Sequence, residues 1–413
     1  MLVPKLRFKR DDGTDYSEWS NKRFANAFTP LNNNTFSRDM LSENGTVLNI
    51  HYGDILVRFG EVCDIQTMDI PKVNTDIDTS RFDELQNGDI VLADTAEDET
   101  VGKAIEIYHI GTSKVVSGLH TMACRPTDKY APKYMGYYIN SPTYHNQLLP
   151  FMQGIKVTSI GRRNIADTVV YYPYDIEEQQ KIAGFLSTVD EVITQSEAEV
   201  RNLEQQKKSA MQKIFSQELR FKREDGTEYP KWELIAFGNL YQRNNERNGN
   251  QFKTEKTISV ATMKYNKKGN GADKNSLSTY KVLRLGDIAF EGHENKEFSH
   301  GRFVLNDIGD GIMSPRFSCL RPVKELVNGF WKYYIHYEPV MYSILLRSTK
   351  KGTMMHELVY DDFYKQSILV PKVEEQQKIA DFLSALDEAI NYAKQELDKW
   401  KELKKGLLQQ MFV

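Results

Sequence analysis

An internal repeat constrains the fold of this 413-residue chain more than any other feature of its sequence. A block that begins Leu-Arg-Phe-Lys-Arg at residues 6–16 returns at 219–229, and a Glu-Glu-Gln-Gln-Lys-Ile-Ala block at 177–183 returns at 374–380. The first block recurs after 213 residues and the second after 197, so the first interior is 16 residues longer. The sequence therefore predicts one scaffold that is used twice, with two diverged interiors.

The two interiors read as mixed α/β domains, which we call heads. Short β-rich runs in them are bounded by Gly, Asn and Asp, as expected for strands that end in turns. Two motifs recur inside the heads: Gly-Asp-Ile at residues 88–90 and 286–288, and Arg-Pro beginning at Arg125 and Arg321. The expected parts are head one at 1–173, a central helix at 174–217, head two at 218–371 and a C-terminal helix at 372–413.

Two proline-free segments, which follow Pro173 and Pro371, carry apolar residues at alternating steps of four and three. This spacing is a heptad seam and predicts two long helices that pair as a coiled coil. A lysine interrupts both seams at the same place, at Lys207 and Lys404. The apolar seam positions are Ile182, Leu186, Val189, Ile193, Val200 and Leu203 in the central helix, and Ile379, Leu383, Leu386, Ile390, Leu397 and Trp400 in the C-terminal helix.

Connectivity sets the direction of the two helices. The central helix delivers the chain to head two, and the C-terminal helix starts from head two, so the short path makes them antiparallel. We therefore expect an α+β fold with two mixed α/β domains separated by two long antiparallel helices, as a pseudo-twofold tandem repeat. The N-terminal Leu-Arg-Phe block should then lie beside the end of the C-terminal helix.

Cysteine usage and hydropathy indicate a cytoplasmic protein. Cys63, Cys124 and Cys319 are few and far apart, which disfavours a disulfide framework or a zinc site and suits a reducing compartment. The first residues lack the apolar stretch of a signal peptide, and no segment approaches the roughly 20 apolar residues of a membrane helix. We therefore expect no membrane association and no metal site.

These features together resemble the specificity subunit of type I restriction–modification systems. Members of that family carry two target-recognition domains and two helical spacers, and the spacers commonly open with a proline, acidic residues and a Glu-Gln-x-x-Ile signature. Here the matching stretches follow Pro173 and Pro371, with the signature at residues 178–182 and 375–379. The start at residues 3–8, the tryptophan after each Leu-Arg-Phe block and the Gly-Asp-Ile motifs also fit, so the resemblance covers the whole chain.

The resemblance implies a DNA-binding subunit of a restriction system that has no catalytic site of its own. Each target-recognition domain would read one half of a bipartite, asymmetric DNA site, and the coiled coil would set the gap between the halves. Two adenine methyltransferase (modification) subunits and motor-nuclease (restriction) subunits would be the partners in DNA methylation and cleavage. S-adenosylmethionine, ATP and magnesium are expected only on those partners, so this chain itself should need no cofactor.

Any DNA-facing surface must be local, because the formal net charge of the whole chain is −3. Residues 24–102 hold 4 Lys and Arg against 15 Asp and Glu, whereas residues 103–163 hold 8 against 2 and residues 237–371 hold 20 against 14. Lysines supply the salt-sensitive contact with phosphates, and Arg and Asn can read base edges. The predicted DNA-binding residues are Lys156, Arg162 and Arg163 in head one, and Lys264, Asn266, Lys267, Lys268, Asn270, Arg347, Lys350 and Lys351 in head two.

Three other functions remain open at this point. A stand-alone methyltransferase has weak support from Ser-Pro-Thr-Tyr at residues 141–144, one residue away from an amino-methyltransferase motif. A nuclease has weak support from Asp287 with Glu294 and Lys296, which loosely match an Asp…Glu-x-Lys metal site. A coiled-coil protein-interaction module is the third alternative. The histidines offer no further site, because their spacing fits neither zinc nor a nucleophile–base pair.

Overall fold

The structure, a computed structural model, describes residues 3–154, 157–269 and 274–413. It divides into two compact units. Unit 1 comprises Met1–Ala198 with Lys394–Val413, and unit 2 comprises Glu199–Ala393. Each unit therefore combines one head with part of each long helix.

The strands and helices of unit 1 are mostly short and precede one long helix. The strands are β1 (Trp19–Arg23), β2 (Phe28–Pro30), β3 (Leu41–Ser42), β4 (Val47–Ile50), β5 (Val62–Asp64), β6 (Lys72–Val73), β7 (Ile90–Ala93), β8 (Thr95–Ala96), β9 (Ala104–Tyr108), β10 (Lys114–Ser117), β11 (Thr121–Pro126), β12 (Thr158–Ser159) and β13 (Val169–Pro173). The helices are α1 (Phe24–Ala27), α2 (Tyr52–Val57), α3 (Tyr134–Ile139), α4 (Pro142–His145), α5 (Arg162–Ala166) and the start of α6 (Ile176–Phe215).

Unit 2 continues from α6 with a second set of short elements. The strands are β14 (Glu233–Ala236), β15 (Tyr241–Arg243), β16 (Ile258–Ser259), β17 (Lys264–Tyr265), β18 (Lys281–Leu283), β19 (Ile288–Glu291), β20 (Arg302–Leu305), β21 (Gly311–Met313), β22 (Ser318–Pro322), β23 (Thr349–Lys351), β24 (His356–Leu358) and β25 (Ser367–Val370). The helices are α7 (Asn328–Tyr334), α8 (Glu338–Ser348), α9 (Tyr360–Lys365) and the start of α10 (Val373–Gln410).

The same antiparallel sheet lies at the centre of each head. Its strand order is β2-β11-β7-β9 in unit 1, where β5 adds a parallel edge, and β15-β22-β19-β20 in unit 2. The registers match, because Ile90 pairs with Cys124 on one side and Glu106 on the other, and Ile288 holds the same position in unit 2. The two heads therefore share a core sheet although their sequences have diverged.

A buried aspartate and an arginine join the two central strands in each head. Arg125 donates two hydrogen bonds to Asp89, at 2.8 and 2.7 Å, and Arg321 donates two to Asp287, both at 2.9 Å. Both carboxylates are almost completely buried. The Gly-Asp-Ile and Arg-Pro repeats of the sequence are thus the two sides of one ion pair that occurs in both heads.

The two flanking blocks of the sequence contact each other within each unit. Arg7 donates to Glu178 at 2.7 and 2.9 Å, and Arg220 donates to Glu375 at 3.1 and 2.7 Å. The lysine of each Glu-Glu-Gln-Gln-Lys-Ile-Ala block also donates to a backbone carbonyl of the first block, at 2.9 Å in both units. Both glutamates are buried, and a buried charge without its partner is costly. The blocks therefore depend on each other, which explains why they recur as a pair.

The N-terminal block lies beside the end of α10, as the connectivity predicts. The Leu6 N–H donates to the Gln410 carbonyl oxygen at 2.9 Å. In unit 2 the second copy of the block follows α6 directly, and the Leu219 N–H donates to the Lys213 carbonyl oxygen at 2.9 Å. In unit 1 the block is thus joined to the end of α10 by a hydrogen bond, whereas in unit 2 the chain itself runs from the end of α6 into the block.

The two long helices pack against each other within both units, which confirms the predicted coiled-coil architecture. In unit 1 the ion pairs Asp190–Lys404 at 2.6 Å and Glu197–Lys401 at 2.7 Å show that the helices run antiparallel. Among the predicted seam residues, the buried ones are Ile182, Leu186, Val189, Val200, Ile379, Leu383 and Ile390. The half-buried ones are Ile193, Leu203, Leu386, Leu397 and Trp400.

The lysine that interrupts each seam belongs to a polar cluster. In unit 1, Lys404 pairs with Asp190 and Glu61, and the Tyr137 hydroxyl donates to Asp190 at 2.7 Å. Burial by itself lowers the pKa of Lys404, but the two carboxylates outweigh it and raise that pKa above its ordinary value. We call Lys404, Asp190 and Tyr137 the Lys-Asp-Tyr cluster of unit 1.

Unit 2 contains a matching cluster with the roles of the two helices exchanged. Lys207 of α6 donates to Asp387 of α10 at 2.5 Å, and the Tyr333 hydroxyl of the head donates to the same carboxylate at 2.6 Å. We call these residues the Lys-Asp-Tyr cluster of unit 2. Each seam lysine therefore belongs to one of the sites at which a helix pair is bonded to its head. Within the described ranges, no helix is both long and apolar enough to cross a membrane.

Candidate nucleic-acid interface

The predicted cluster at residues 347–351 lies at the root and on the first strand of a hairpin. Arg347 is exposed in the last turn of α8, and Lys350 and Lys351 are exposed on β23, which pairs with β24. Lys350 lies 3.2 Å from Glu357, and Lys351 lies 3.7 Å from Glu294. Because both lysines are well exposed, these ion pairs are weak and leave the ammonium groups accessible to phosphate.

The predicted cluster at residues 264–270 lies on the short β16–β17 pair and the turn after it. Lys264, Lys267 and Lys268 are exposed. The side chain of Asn266 is used within the turn, because its amide donates to the Gly269 carbonyl at 2.8 Å and its oxygen accepts from the Lys268 N–H at 3.2 Å. Its predicted role in base reading would require these bonds to open. Asn270 lies outside the described residues.

In head one the predicted arginines open the short helix α5. Arg162 and Arg163 are exposed, and Arg162 donates to the side-chain oxygen of Asn33 at 2.5 Å. Lys156, the third predicted residue of this cluster, lies outside the described residues. The structure therefore brings Arg162 next to an amide side chain that the sequence did not connect with it.

Several cations in head two are bonded within the head. Arg284 lies 2.6 Å from Glu246 and 2.8 Å from Asp310, and Arg321 lies 3.0 Å from Glu246 in addition to its pair with Asp287. These contacts lower the pKa of Glu246 and raise the pKa of both arginines. Arg284 and Arg321 are therefore held by carboxylates within the head, whereas the lysine clusters and Arg347 are exposed.

Met354 is the residue of this surface that sequence reasoning missed. It lies in the turn of the β23–β24 hairpin, next to the predicted lysines, and is 84% exposed. Methionine in an apolar pattern is read as core, so only the turn-forming Gly352 before it signals an exposed position. The side chain of Met354 places an apolar group among cations.

Two histidines of head two meet beside the turn of the same hairpin. His356 is buried, its Nε2 lies 2.7 Å from Glu294 Oε1, and its ring centre lies 5.3 Å from that of His300. The spacing of these residues in the sequence did not predict their contact. Across the described part of the chain, no group of three or more His, Cys, Asp or Glu side chains is arranged to hold a metal ion.

The residues that favoured an enzyme have roles in the fold. Ser141 is buried at the start of α4, where its hydroxyl accepts from the Tyr144 N–H at 3.3 Å, and the Tyr144 hydroxyl contacts Thr168 at 2.9 Å. Asp287 is occupied by Arg321, and Glu294 by His356. These contacts leave the methyltransferase and nuclease alternatives without the open side chains that they would use.

The three cysteines are free and buried, and burial controls their chemistry. It raises the pKa of the Cys63 and Cys319 thiols to about 12 and raises that of Cys124 as well. Because the thiolate is the reactive form, thiols with so high a pKa stay protonated and unreactive near neutral pH. The geometry therefore favours a surface that binds through exposed cations over a site for covalent catalysis.

Comparison with known proteins supports this interpretation. Residues 213–401 match the family model described as the type I restriction modification DNA specificity domain. The chain is 23% identical over 373 residues to the putative type I restriction enzyme MjaX specificity subunit of Methanocaldococcus jannaschii, covering 86% of this chain and 82% of that protein. It is 26% identical over 137 residues to the type I restriction enzyme HindI specificity subunit of Haemophilus influenzae, covering 32% of this chain and 29% of that protein.

Solved structures share the fold over nearly the whole chain. The S subunit of the type I restriction–modification system from M. genitalium aligns with a TM-score of 0.54 at 13% identity, covering 100% of this chain and 99% of that one. A chain from a study of complex assembly and conformational transition of the type I system aligns with a TM-score of 0.57 at 15% identity, covering 94% and 96%. Residues 213–401 therefore match the DNA specificity domain of type I restriction–modification systems, and most of the chain is similar to a specificity subunit of the family that its repeated blocks indicated.

Proposed function

We propose that this specificity subunit recognises a bipartite, asymmetric site in double-stranded DNA, that each head reads one half, and that the chain has no catalytic role of its own. The proposal rests on one observation: the two heads share a central sheet, but the strands around that sheet differ. Both heads keep the four-stranded sheet and its Arg–Asp pair, whereas unit 1 adds β5 and the sheet β10-β4-β6-β3, and unit 2 has the pairs β16–β17, β18–β21 and β23–β24. Two readers of different half-sites require such a division, because base contacts depend on the outer residues.

Exposed aromatic residues near the start of each long helix support two copies of one partner. Phe185 packs edge-on against Phe8 at 5.8 Å between ring centres, and Phe382 packs against Phe221 at 5.6 Å. Phe185 and Phe382 nevertheless remain 40% and 37% exposed. Exposed apolar groups often mark protein interfaces, and a patch that occurs twice suits a partner that binds twice.

The partners that fit are two adenine methyltransferase subunits, joined by motor-nuclease subunits when DNA is cut. In this proposal S-adenosylmethionine, ATP and magnesium bind to those subunits. The methyltransferases would rotate the target adenine out of the duplex for methylation. The specificity subunit would decide where both activities act, which places its work in the cytoplasm with the chromosome.

Genome-wide mapping of N6-methyladenine tests the proposal directly. Cells that express this chain and its partner methyltransferase would be compared with cells that lack only this chain. The expected result is the loss of a single bipartite asymmetric motif. An unchanged methylation map in the presence of an active methyltransferase would contradict the proposal and favour a protein-binding module.

Exchange of one head tests the division of labour. Replacing residues 233–371 with the corresponding segment of another specificity subunit should change one half of the methylated motif and leave the other half intact. A change in both halves would show that the heads do not read separately.

A further inference from the structure

The β23–β24 hairpin stands apart from the central sheet of unit 2. Among the described strands it pairs only with itself, with Thr349, Lys350 and Lys351 opposite Leu358, Glu357 and His356. The Gly352 N–H donates to the Met355 carbonyl oxygen at 3.1 Å and closes the turn. The hairpin is therefore a short two-stranded ribbon with its own tip.

The second strand of this ribbon is firmly held, both beside the turn at His356 and at the root after Leu358. The His356 N–H donates to the Gly292 carbonyl oxygen at 2.8 Å, and the Val359 N–H donates to the Ser348 carbonyl oxygen at 2.8 Å. A Cβ atom on Gly292 would lie 1.9 Å from the His356 carbonyl oxygen, so only glycine lets the two backbones approach so closely. The His356–Glu294 hydrogen bond adds a side-chain link. A recognition element needs such a fixed base to present its tip at a defined position.

The two strands of the ribbon differ in character. On β24, Leu358 and His356 are buried. On β23, Lys350 and Lys351 carry exposed ammonium groups, and the tip presents Met354, which is 84% exposed. An apolar side chain with so little protein around it does not stabilise the head, so its role is to be sought outside the fold.

At the corresponding position of unit 1, two described segments also approach each other closely at a glycine. Gln153 bridges Ser159 there, and a Cβ on Gly154 would meet the Val157 carbonyl oxygen at 1.8 Å, just as one on Gly352 would meet that of Met355 at 2.5 Å. Each close approach is followed by a short helix, α5 or α9. The close approach at a glycine is thus common to both heads, whereas the residues beside it differ, which is the pattern of a specificity element.

We propose that the β23–β24 ribbon enters the major groove of the half-site read by unit 2, with Met354 in contact with the C5-methyl group of a thymine. This inference rests on the proposed function. The major groove is wide enough for a two-stranded β-ribbon, and apolar side chains recognise thymine there through its methyl group. Lys350 and Lys351 lie on the strand that leads to the tip and would bind the flanking phosphates.

The first test is the substitution Met354→Ala, with methylation mapping in cells that contain the complete complex. One thymine position in one half-site should relax, with discrimination against other bases about tenfold lower, while the other half-site stays unchanged. Leu234→Ala is the matched control, because Leu234 is an equally apolar side chain of unit 2, 70% exposed on β14. It should leave every position of the motif unchanged.

The second test removes the methyl group from the DNA. In binding measurements with the purified complex, replacing each thymine of the motif with uracil in turn should weaken the wild type by about tenfold at one position only. The Met354→Ala complex should not respond to uracil at that position. An equal response of both complexes to every uracil would overturn the contact.

The outcomes separate this inference from the function on which it rests. If the wild-type chain directs no motif at all, the proposed function fails and the contact fails with it. If the wild type directs a motif that Met354→Ala leaves unchanged, the function stands and only the role of the ribbon is wrong.

Discussion

The two Lys-Asp-Tyr clusters have the same plan and differ in one carboxylate. Among the described residues, Lys207 of unit 2 pairs with one carboxylate, that of Asp387, whereas Lys404 of unit 1 pairs with two, those of Asp190 and Glu61. Glu61 comes from the acidic stretch of head one, and the ion pair joins residues 343 positions apart. The Lys–Asp ion pair is therefore common to both units, whereas the Lys404–Glu61 ion pair belongs to unit 1.

The central sheets show a second difference of the same kind. At the position opposite Ile90, unit 1 has Glu106, whereas Leu305 lies opposite Ile288 in unit 2. Glu106 is buried and accepts hydrogen bonds from the backbone N–H groups of Lys133 at 2.5 Å and Gly136 at 2.9 Å. A register that is common to both heads thus places a titratable group in the core of only one.

The largest effect is expected from the arginines of the shared Arg–Asp pairs. Arg321→Met and Arg125→Met would each leave a buried carboxylate without its partner, at a cost of about 3–5 kcal/mol. Arg321→Met should cost more, because Arg321 also pairs with Glu246, which would lose this partner as well. Hydrogen exchange of the central strands, followed by mass spectrometry, measures the loss in each unit separately.

An exposed ion pair is the control for this prediction. Lys365→Met removes a surface pair with Asp362 at 3.8 Å and should change stability by less than about 0.5 kcal/mol. If the arginine variants were no more destabilised than this control, the buried pairs would contribute little to either head.

The seam lysines should give unequal effects. Lys404→Met leaves two partly buried carboxylates uncompensated and should cost about 3 kcal/mol, whereas Lys207→Met leaves one, more exposed, and should cost about 1 kcal/mol. Adding Glu61→Gln to Lys404→Met should recover part of the loss. Denaturation by urea, compared for the three variants, checks this order. Equal losses for the two lysines would mean that Glu61 adds nothing.

Glu106 should make the stability of unit 1 depend on pH. Burial raises its pKa to about 7 from an ordinary value of 4.5, despite the backbone N–H groups that lower it. Between these values the folded state binds more protons than the unfolded state, so stability falls as the pH rises through this window. From about pH 5 to about pH 8 the loss should be about 2 kcal/mol.

Urea titrations of the wild type and of Glu106→Gln over this pH range test the assignment. The amide does not titrate, so the part of the slope that comes from this group should vanish in the variant. Leu305→Met, at the matching position of unit 2, should leave the slope unchanged. A slope that persists in Glu106→Gln would place its origin in another group.

The fold could be predicted from local signals because the repeat and the heptads extend along the chain. The α6 and α10 helices begin within two residues of the expected segments, and the seam residues Leu186 and Leu383 are buried. The sequence displayed the Gly-Asp-Ile and Arg-Pro motifs, yet nothing in their spacing showed that Arg125 bonds Asp89, because the strands that carry them meet only in the folded sheet.

The candidate site could be predicted only in outline. Charge clusters identified the hairpin lysines, but Met354 carries no charge, and its exposure follows from a turn that closes in three dimensions. The seam lysines read as defects, because their partners Tyr137 and Tyr333 come from the heads. The DNA-binding roles of Arg162, Lys350 and the other selected residues stay predictions.

The smallest effect on stability is expected from the hydrogen bond between tyrosine and aspartate, which both Lys-Asp-Tyr clusters contain. Tyr137→Phe and Tyr333→Phe each remove one hydrogen bond to an aspartate that keeps its lysine, so both should cost about 1 kcal/mol. Tyr392→Phe, at a side chain that is 67% exposed on α10, should change stability very little and serves as the control. Equal tyrosine effects beside unequal lysine effects would assign the asymmetry to Glu61. If Tyr137→Phe lost much more stability than Tyr333→Phe, the Asp190 carboxylate would be stabilised mainly by the Tyr137 hydroxyl. The difference between the two clusters would then come from the tyrosine hydrogen bond and not from Glu61.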